Sequence, residues 1–209
     1  MQNIAISFAA LVTASIVVWV GVRYCTKVIR RQINATVTTW IIFEIGVVMS
    51  LVTYFTSHNH SIVKAINNTS DGFVVTAVLA TLLIKGRGKK ITFSDNEKLC
   101  LKIAIASLVM WALTRTSWIG FAGFQVVMIV AYFPMFENLW RWEPGNPPEP
   151  ADMWGITAMV SAIGVCIDIT GTHHDYVAIL YPLRACVLSI VVLVLIQRWK
   201  KKNSLHRIT

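Results

Sequence analysis

The sequence predicts an all-α integral membrane protein of seven transmembrane helices, with the N-terminus outside and the C-terminus in the cytoplasm. Three observations predict it. The chain of 209 residues is 56% hydrophobic and only 14% charged, with mean hydropathy +0.62, whereas ordinary soluble domains carry about 25% charged residues. Its apolar residues fall in blocks of roughly 20, the length that a hydrocarbon layer of about 30 Å asks of a helix. Its basic residues stand in alternate gaps between those blocks.

The blocks are 3–23, 37–57, 62–85, 98–113, 117–137, 152–171 and 176–198. The first resembles a signal peptide in position, but it lacks a basic start and a small-residue cleavage site, so it reads as a span. The loop after it ends in Thr residues suited to capping the second segment, which carries Glu44 about one turn in from Trp40, then Gly46. The third segment is apolar only from Gly72 to Ile84, and 13 residues reach about 20 Å. To cross, it must begin near Ile62 and bring Lys64, Asn67, Asn68, Ser70 and Asp71 into the outer half. Polar groups at such depth face a bundle interior or water, so this segment is expected to line a cavity open to the outside.

The fourth segment follows RGKKITFSDNEK, the most hydrophilic stretch, and has no counterpart elsewhere; it reads as a linker. The fifth holds Gly120, Gly123, Gln125 and Pro134, and small residues three apart permit close helix contact. The sixth starts near Trp154 and ends beyond Asp168; the seventh holds Tyr181, Pro182 and Arg184 well inside its span.

A net charge of +9 suggests nucleic acid until the charges are mapped. Lys27, Arg30 and Arg31 follow the first segment, and Lys85, Arg87, Lys89, Lys90 and Lys98 the third. Arg141 follows the fifth, and Arg198, Lys200, Lys201, Lys202 and Arg207 the seventh. The other gaps hold little beyond Lys64 and Arg115. This is the positive-inside pattern, so the basic excess is mostly topology, with some attraction to anionic lipid. It excludes the concentrated patch that nucleic-acid binding requires. Six Trp residues fall near inner ends, and Trp111 and Trp118 near outer ones, as an interfacial belt. Cys25, Cys100, Cys166 and Cys186 show no paired spacing and read as small apolar fillers.

An internal duplication organises the chain. Tyr24 to Trp40 and Tyr132 to Trp154 both begin with Tyr closing a hydrophobic run, cross a polar connector and end on a Trp that opens the next run. A Pro/Gly-rich insert, Glu143 to Pro150, accounts for the extra length of the second. Setting Trp40 on Trp154, an offset of 114, overlays SHNHS on GTHHD without further gaps. The expected plan is a first three-helix repeat over 1–86, a basic loop and linker helix over 87–114, a second repeat over 115–199 and a basic cytoplasmic tail over 200–209. An odd linker gives both halves one orientation, hence parallel repeats.

Tyr132-Phe133-Pro134-Met135, followed by Asn138, Trp140 and Arg141, resembles a PQ-loop motif: an aromatic, a Pro and a polar position at an inner helix end, then a basic loop. With the 3+1+3 plan, the chain resembles the SWEET/PQ-loop superfamily, in the style of small bacterial members whose second helix opens with a Thr-Trp pair, as Thr39-Trp40 does. The resemblance covers nearly the whole chain in architecture, on a short motif. Met135 replaces the expected Gln, and Thr26 stands where the second repeat has Pro134. The proline set that hinges sugar carriers is mostly missing, as is the Trp-rich signature of vitamin carriers.

The resemblance implies a transporter of a small polar solute, working by alternating access through a central site between the repeats, in a bacterial inner membrane. A non-transporting receptor or assembly protein on the same scaffold is the alternative. Asp71 and Arg184, whose separation of 113 is one short of the repeat offset, are expected to face each other, either as a clasp between the halves or as part of the central site. Arg184 would then hold an anionic group, or Asp71 a proton. The family places site residues on the third helix of each repeat, and Asn68 and Tyr181 occupy matching places there; with Asn67 and Gln125 they could line a small-ligand pocket or simply bond helix to helix. Glu44 is a second intramembrane carboxylate, with a structural role favoured. Pro134 is the expected hinge. His58, His60, His173 and His174, with Asp175, would gather on the outer face, as solvated loop residues, a pH-sensitive cluster or a Zn²⁺ or Cu²⁺ site. No resident cofactor is otherwise implied. Partners are the solute, the bilayer and a second copy of the chain. No catalytic motif appears, so the chain is not expected to be an enzyme.

Overall fold

The computed structural model describes the backbone of residues 2–56, 62–86, 93–141, 149–170 and 176–206, and these form helices and their short connections only. The segments are α1 (Gln2–Ile29), α2 (Val37–Thr56), α3 (Ile62–Lys85), α4 (Asp95–Thr114), α5 (Ser117–Val130), α6 (Tyr132–Arg141), α7 (Ala151–Thr170) and α8 (Tyr176–His206). Only Ala131 separates α5 from α6, and it keeps right-handed helical angles (φ −59°, ψ −27°). The plan is therefore all-α with seven helices, the fifth interrupted. The cause of the break lies three residues on: Pro134 has no N–H for the Val130 carbonyl, and its ring crowds that group.

Three helical stretches are long and apolar enough to cross a membrane: Leu11–Ile29, Ala122–Arg141 and Pro182–Ser204. Val37–Val52 and Ala151–Cys166 are apolar but shorter. Helix bounds exceed the apolar blocks at α1, α4 and α8, because a helix continues past its hydrophobic part until something stops it. At α1 the stop is Arg31, left-handed at φ 56°, whose N–H donates to the Val28 carbonyl at 3.1 Å. At α4 it is Arg115, also left-handed (φ 47°), donating to the Trp111 carbonyl at 2.8 Å. Both are C-terminal positions where Gly is the common choice. The start of α4 carries a capping box. The Ser94 hydroxyl accepts from the Glu97 N–H at 3.2 Å, and the Glu97 carboxylate accepts from the Ser94 N–H at 2.7 Å.

The chain divides into two compact units. The first comprises Met1–Arg31 with Thr36–Pro134, the second Gln32–Ala35 with Met135–Thr209. The expected boundaries at 86/87 and 114/115 are those of a sequence duplication; the compact units part instead within α6.

Within the first unit α3 packs on both α1 and α2, while α5 packs on α2 and α4. Contacts fix the helix directions. Gly21 of α1 lies against Val74, and the Lys85 ammonium donates to the Ile29 carbonyl, so α1 and α3 run parallel. Gly72 meets Val47 and Leu51, while Thr76 meets Glu44, so α2 and α3 are antiparallel. Gly46 meets Val127 and Met128, and Gly123 meets Met49, so α2 and α5 are antiparallel too. Successive helices thus alternate in direction. The ends of α1 and α3 and the starts of α2 and α4 gather at one end of the unit, which also carries Lys27, Arg30, Arg31 and Lys85. The core runs along α2 and α5 through Ile42, Met49 and Val127, all with no exposed surface.

In the second unit α7 packs antiparallel on α8, with Gly164 against Pro182. Arg198 of α8 lies 3.6 Å from the centroid of the Trp140 ring of α6, a cation–π contact that sets the ends of α6 and α8 side by side. Met135, Met153, Val192 and Ile196 are fully or almost fully buried.

Candidate functional site

A polar pair joins the two helices of the α2–α3 hairpin. Glu44 is the eighth residue of α2, about 10 Å along the helix at 1.5 Å per residue. The Thr76 hydroxyl of α3 reaches both of its carboxylate oxygens, at 3.0 and 3.1 Å. Antiparallel packing makes this contact, since Gly72, one turn from Thr76, lets α3 come close to Val47 and Leu51. Among the described residues no cation lies at salt-bridge distance from Glu44. Ser70 is buried and Asp71 half-buried, both on α3 toward its other end.

The remaining expected residues fall in different places. Gln125 sits on α5 in the same unit, and its side-chain nitrogen is buried with no hydrogen-bond partner among the described residues. Pro134 is buried in the first turn of α6. Arg184 is half-buried on α8 in the second unit. The backbones of Asn67, Asn68 and Tyr181 are helical, but their side chains lie outside the described residues. His58, His60, His173, His174 and Asp175 lie outside them entirely. Among the described residues no group of His, Cys, Asp and Glu could hold a metal ion.

Three polar contacts were not legible in the sequence. The first is Thr76 as the partner of Glu44: a Thr in an apolar run carries no signal, although an antiparallel hairpin closed near residue 60 would have brought the two level. The second is Glu149, which is 1% exposed and accepts from the Trp154 indole N–H at 3.0 Å. It lies in the Pro-rich insert, where a Glu reads as solvated. The third joins two helix starts, where the Thr38 hydroxyl donates to Glu97 at 2.6 Å.

The two bracketing motifs also acquire geometry. In the first, Trp40 donates to the Tyr24 hydroxyl at 3.3 Å with ring centroids 4.8 Å apart, and the stack continues through Phe43 to Tyr132. In the second, the acceptor for the Trp is the Glu149 carboxylate instead.

Carried back by the offset of 114 between Trp40 and Trp154, the Gly164–Pro182 contact falls on positions 50 and 68. That pairing is one residue of antiparallel register from the Val47–Gly72 contact and five from the Leu51–Gly72 contact. The same offset carries Glu44 and Thr76 onto Ala158 and Ile190.

No family model, curated protein or solved structure matches this chain.

Proposed function

We propose that this protein is a membrane carrier. It passes a small polar solute by alternating exposure of a central site between two like-oriented three-helix repeats, on the SWEET/PQ-loop plan. The N-terminus lies outside and the basic C-terminus in the cytoplasm of a bacterial inner membrane. The observation that carries the reading is Glu44 bonded to Thr76 where α2 packs on α3. Ionisable groups at such depth are costly and are kept where a pathway uses them. Alternation of helix direction, basic residues at one end of each unit, and the shared register of the two hairpins support the topology and the duplication.

In this reading Asp71 and Arg184 line the centre. Asn67, Asn68, Gln125 and Tyr181 supply its neutral polar groups, and Pro134 with the break at Ala131 is the joint about which α6 swings. The side chains bind and orient solute; none is assigned a covalent step.

The test is counterflow in proteoliposomes holding the full chain, with radiolabelled neutral sugars, amino acids and vitamins as the panel. At least one solute should exchange, and Asp71→Asn or Arg184→Gln should slow that exchange while the protein still folds. Folded protein that exchanges none of them would sink the carrier and leave a receptor or assembly role on the same scaffold.

A further inference from the structure

We propose that the paired C-terminal ends of α6 and α8 hold an anionic phospholipid. Its phosphate lies against Arg198, Lys201 and Lys202, and its acyl chains run along the apolar faces that lead up to them. The site stands whether or not the chain carries a solute. Its depth in the bilayer follows from the helices. Ala122–Arg141 and Pro182–Ser204 are two of the three stretches able to cross a membrane. Arg198, 3.6 Å from the centroid of the Trp140 ring, joins them near the ends of both. The stack therefore stands where the two helices leave the hydrocarbon, at the level of headgroup phosphates. By the positive-inside pattern this is the cytoplasmic face, the leaflet whose anionic lipids draw basic segments.

Helix periodicity sorts α8 into two faces. Val192, Ile196 and Trp199 are buried. Val187, Val191 and Val194 are exposed; they stand eleven, seven and four positions before Arg198 and so share one stripe with it. Lys201 and Lys202, three and four positions after Arg198, continue that stripe and are exposed. On α6 the exposed Phe133 lies about two turns before the exposed Trp140, on the same face. Apolar stripes that end in an indole and three cations match an amphiphile with an anionic head. An arginine stacked on an aromatic face keeps its in-plane N–H fork, which fits phosphate bidentately. Trp140 thus holds the guanidinium flat and leaves its edge for the lipid. The acids at this end do not cancel the charge. Glu137, on the same face of α6, is paired with Arg141, and Glu149 is buried beneath Trp154. The Gly164–Pro182 pairing sets Asp152 level with Val194, about 6 Å short of Arg198, and α8 carries Lys200, Lys201 and Lys202 further still.

Native mass spectrometry of the full chain reads the site, with the protein released from micelles holding equal phosphatidylglycerol and phosphatidylcholine of matched acyl chains. Wild type should retain phosphatidylglycerol in preference. Lys201→Gln with Lys202→Gln, both on exposed side chains, should lower that preference by about fivefold per charge. Arg198→Lys keeps the charge and loses the stacked fork, and should also lower it several-fold. Arg30→Lys, the same exchange just past the end of α1, should leave it unchanged. Excess glycerol phosphate should not displace the lipid, because it has no chain for the stripes. Equal retention of the two lipids overturns the site and leaves the basic end to topology or to an acidic protein. A preference that Arg198→Lys leaves intact overturns it too, since diffuse attraction counts charges and ignores their shape. So does displacement by glycerol phosphate.

Discussion

The α2–α3 and α7–α8 hairpins pack alike and are loaded differently. Each brings two antiparallel helices together at a glycine, Gly72 in one and Gly164 in the other, and once the offset between Trp40 and Trp154 is removed the second register lies one residue from the Val47–Gly72 contact and five from the Leu51–Gly72 contact. The first then sets Glu44 against Thr76, where the second has Ala158 and Ile190. Close packing is thus a property of the shared hairpin, and the polar pair is an addition to one copy. Packing alone explains glycines; it does not explain a carboxylate.

The comparison breaks most sharply if the pair is moved. Ala158 is buried, so Ala158→Glu alone should cost about 3–5 kcal/mol for an uncompensated charge. Adding Ile190→Thr should return about 1–2 kcal/mol, the worth of an interhelical hydrogen bond in a membrane. Reversible unfolding in mixed micelles, analysed as a double-mutant cycle, gives the coupling. No coupling between 158 and 190 would mean that the two registers differ and that the duplication does not extend to packing. In the opposite direction, Glu44→Ala with Thr76→Ile should fold at least as well as wild type, because the second hairpin does without the pair.

A smaller contrast lies between two glycines. A Cβ on Gly21 would sit 2.7 Å from both Val74 methyls, and a β-branched side chain in a helix has little rotamer freedom to yield. Gly21→Ala should cost about 1–3 kcal/mol by prising α1 off α3. Gly155 has nothing within 4 Å of such a Cβ, so Gly155→Ala should stabilise α7 by about 0.5–1 kcal/mol. Equal effects at the two sites would mean that α1 does not pack through Gly21.

The two bracketing tryptophans sharpen the comparison at their helix starts. Trp40 donates to a neutral hydroxyl, Trp154 to a buried carboxylate. Trp154→Phe should therefore cost about 1–3 kcal/mol and Trp40→Phe about 0.5–1.5 kcal/mol, since hydrogen bonds to charged groups are the stronger. The reverse order in thermal melts would show that ring packing around Tyr24 and Phe43, not the indole N–H, decides.

These contrasts show what could be read beforehand. Block length and turn chemistry dictate where helices exist, so α3 starts at Ile62, as its short apolar core requires. The interruption after Val130 follows from Pro134. Partners across helices do not follow, because nothing local marks Thr76 as opposite Glu44. Glu149 was hidden for another reason. In a Pro-rich insert a carboxylate looks solvated, yet the chain turns it beneath Trp154 at the start of α7, where exposed helix N–H groups favour negative charge. Of the candidate residues, Glu44 gains Thr76 as a partner.

The smallest expected effect separates two acids in the first turn of α4. Asp95 is fully exposed, and the hydrogen bond from Lys98 at 2.9 Å, with that residue's charge, holds its carboxyl below the usual aspartate value. A depressed folded value means that its contribution is present above the unfolded pKa and is lost as pH falls through the folded one. A solvent-screened pair of this kind contributes little, so Asp95→Asn should leave the melting temperature almost unchanged, with any difference gone in high salt. The Glu97 side chain accepts two bonds, from the Thr38 hydroxyl and from the Ser94 N–H, and the Glu97 N–H closes the capping box by donating to Ser94 Oγ. Glu97→Gln should cost about 0.5–2 kcal/mol, the range for a lost cap. If the two substitutions proved equally mild, the tie between the starts of α2 and α4 would carry no stability, and the linker helix would be held through its apolar face alone.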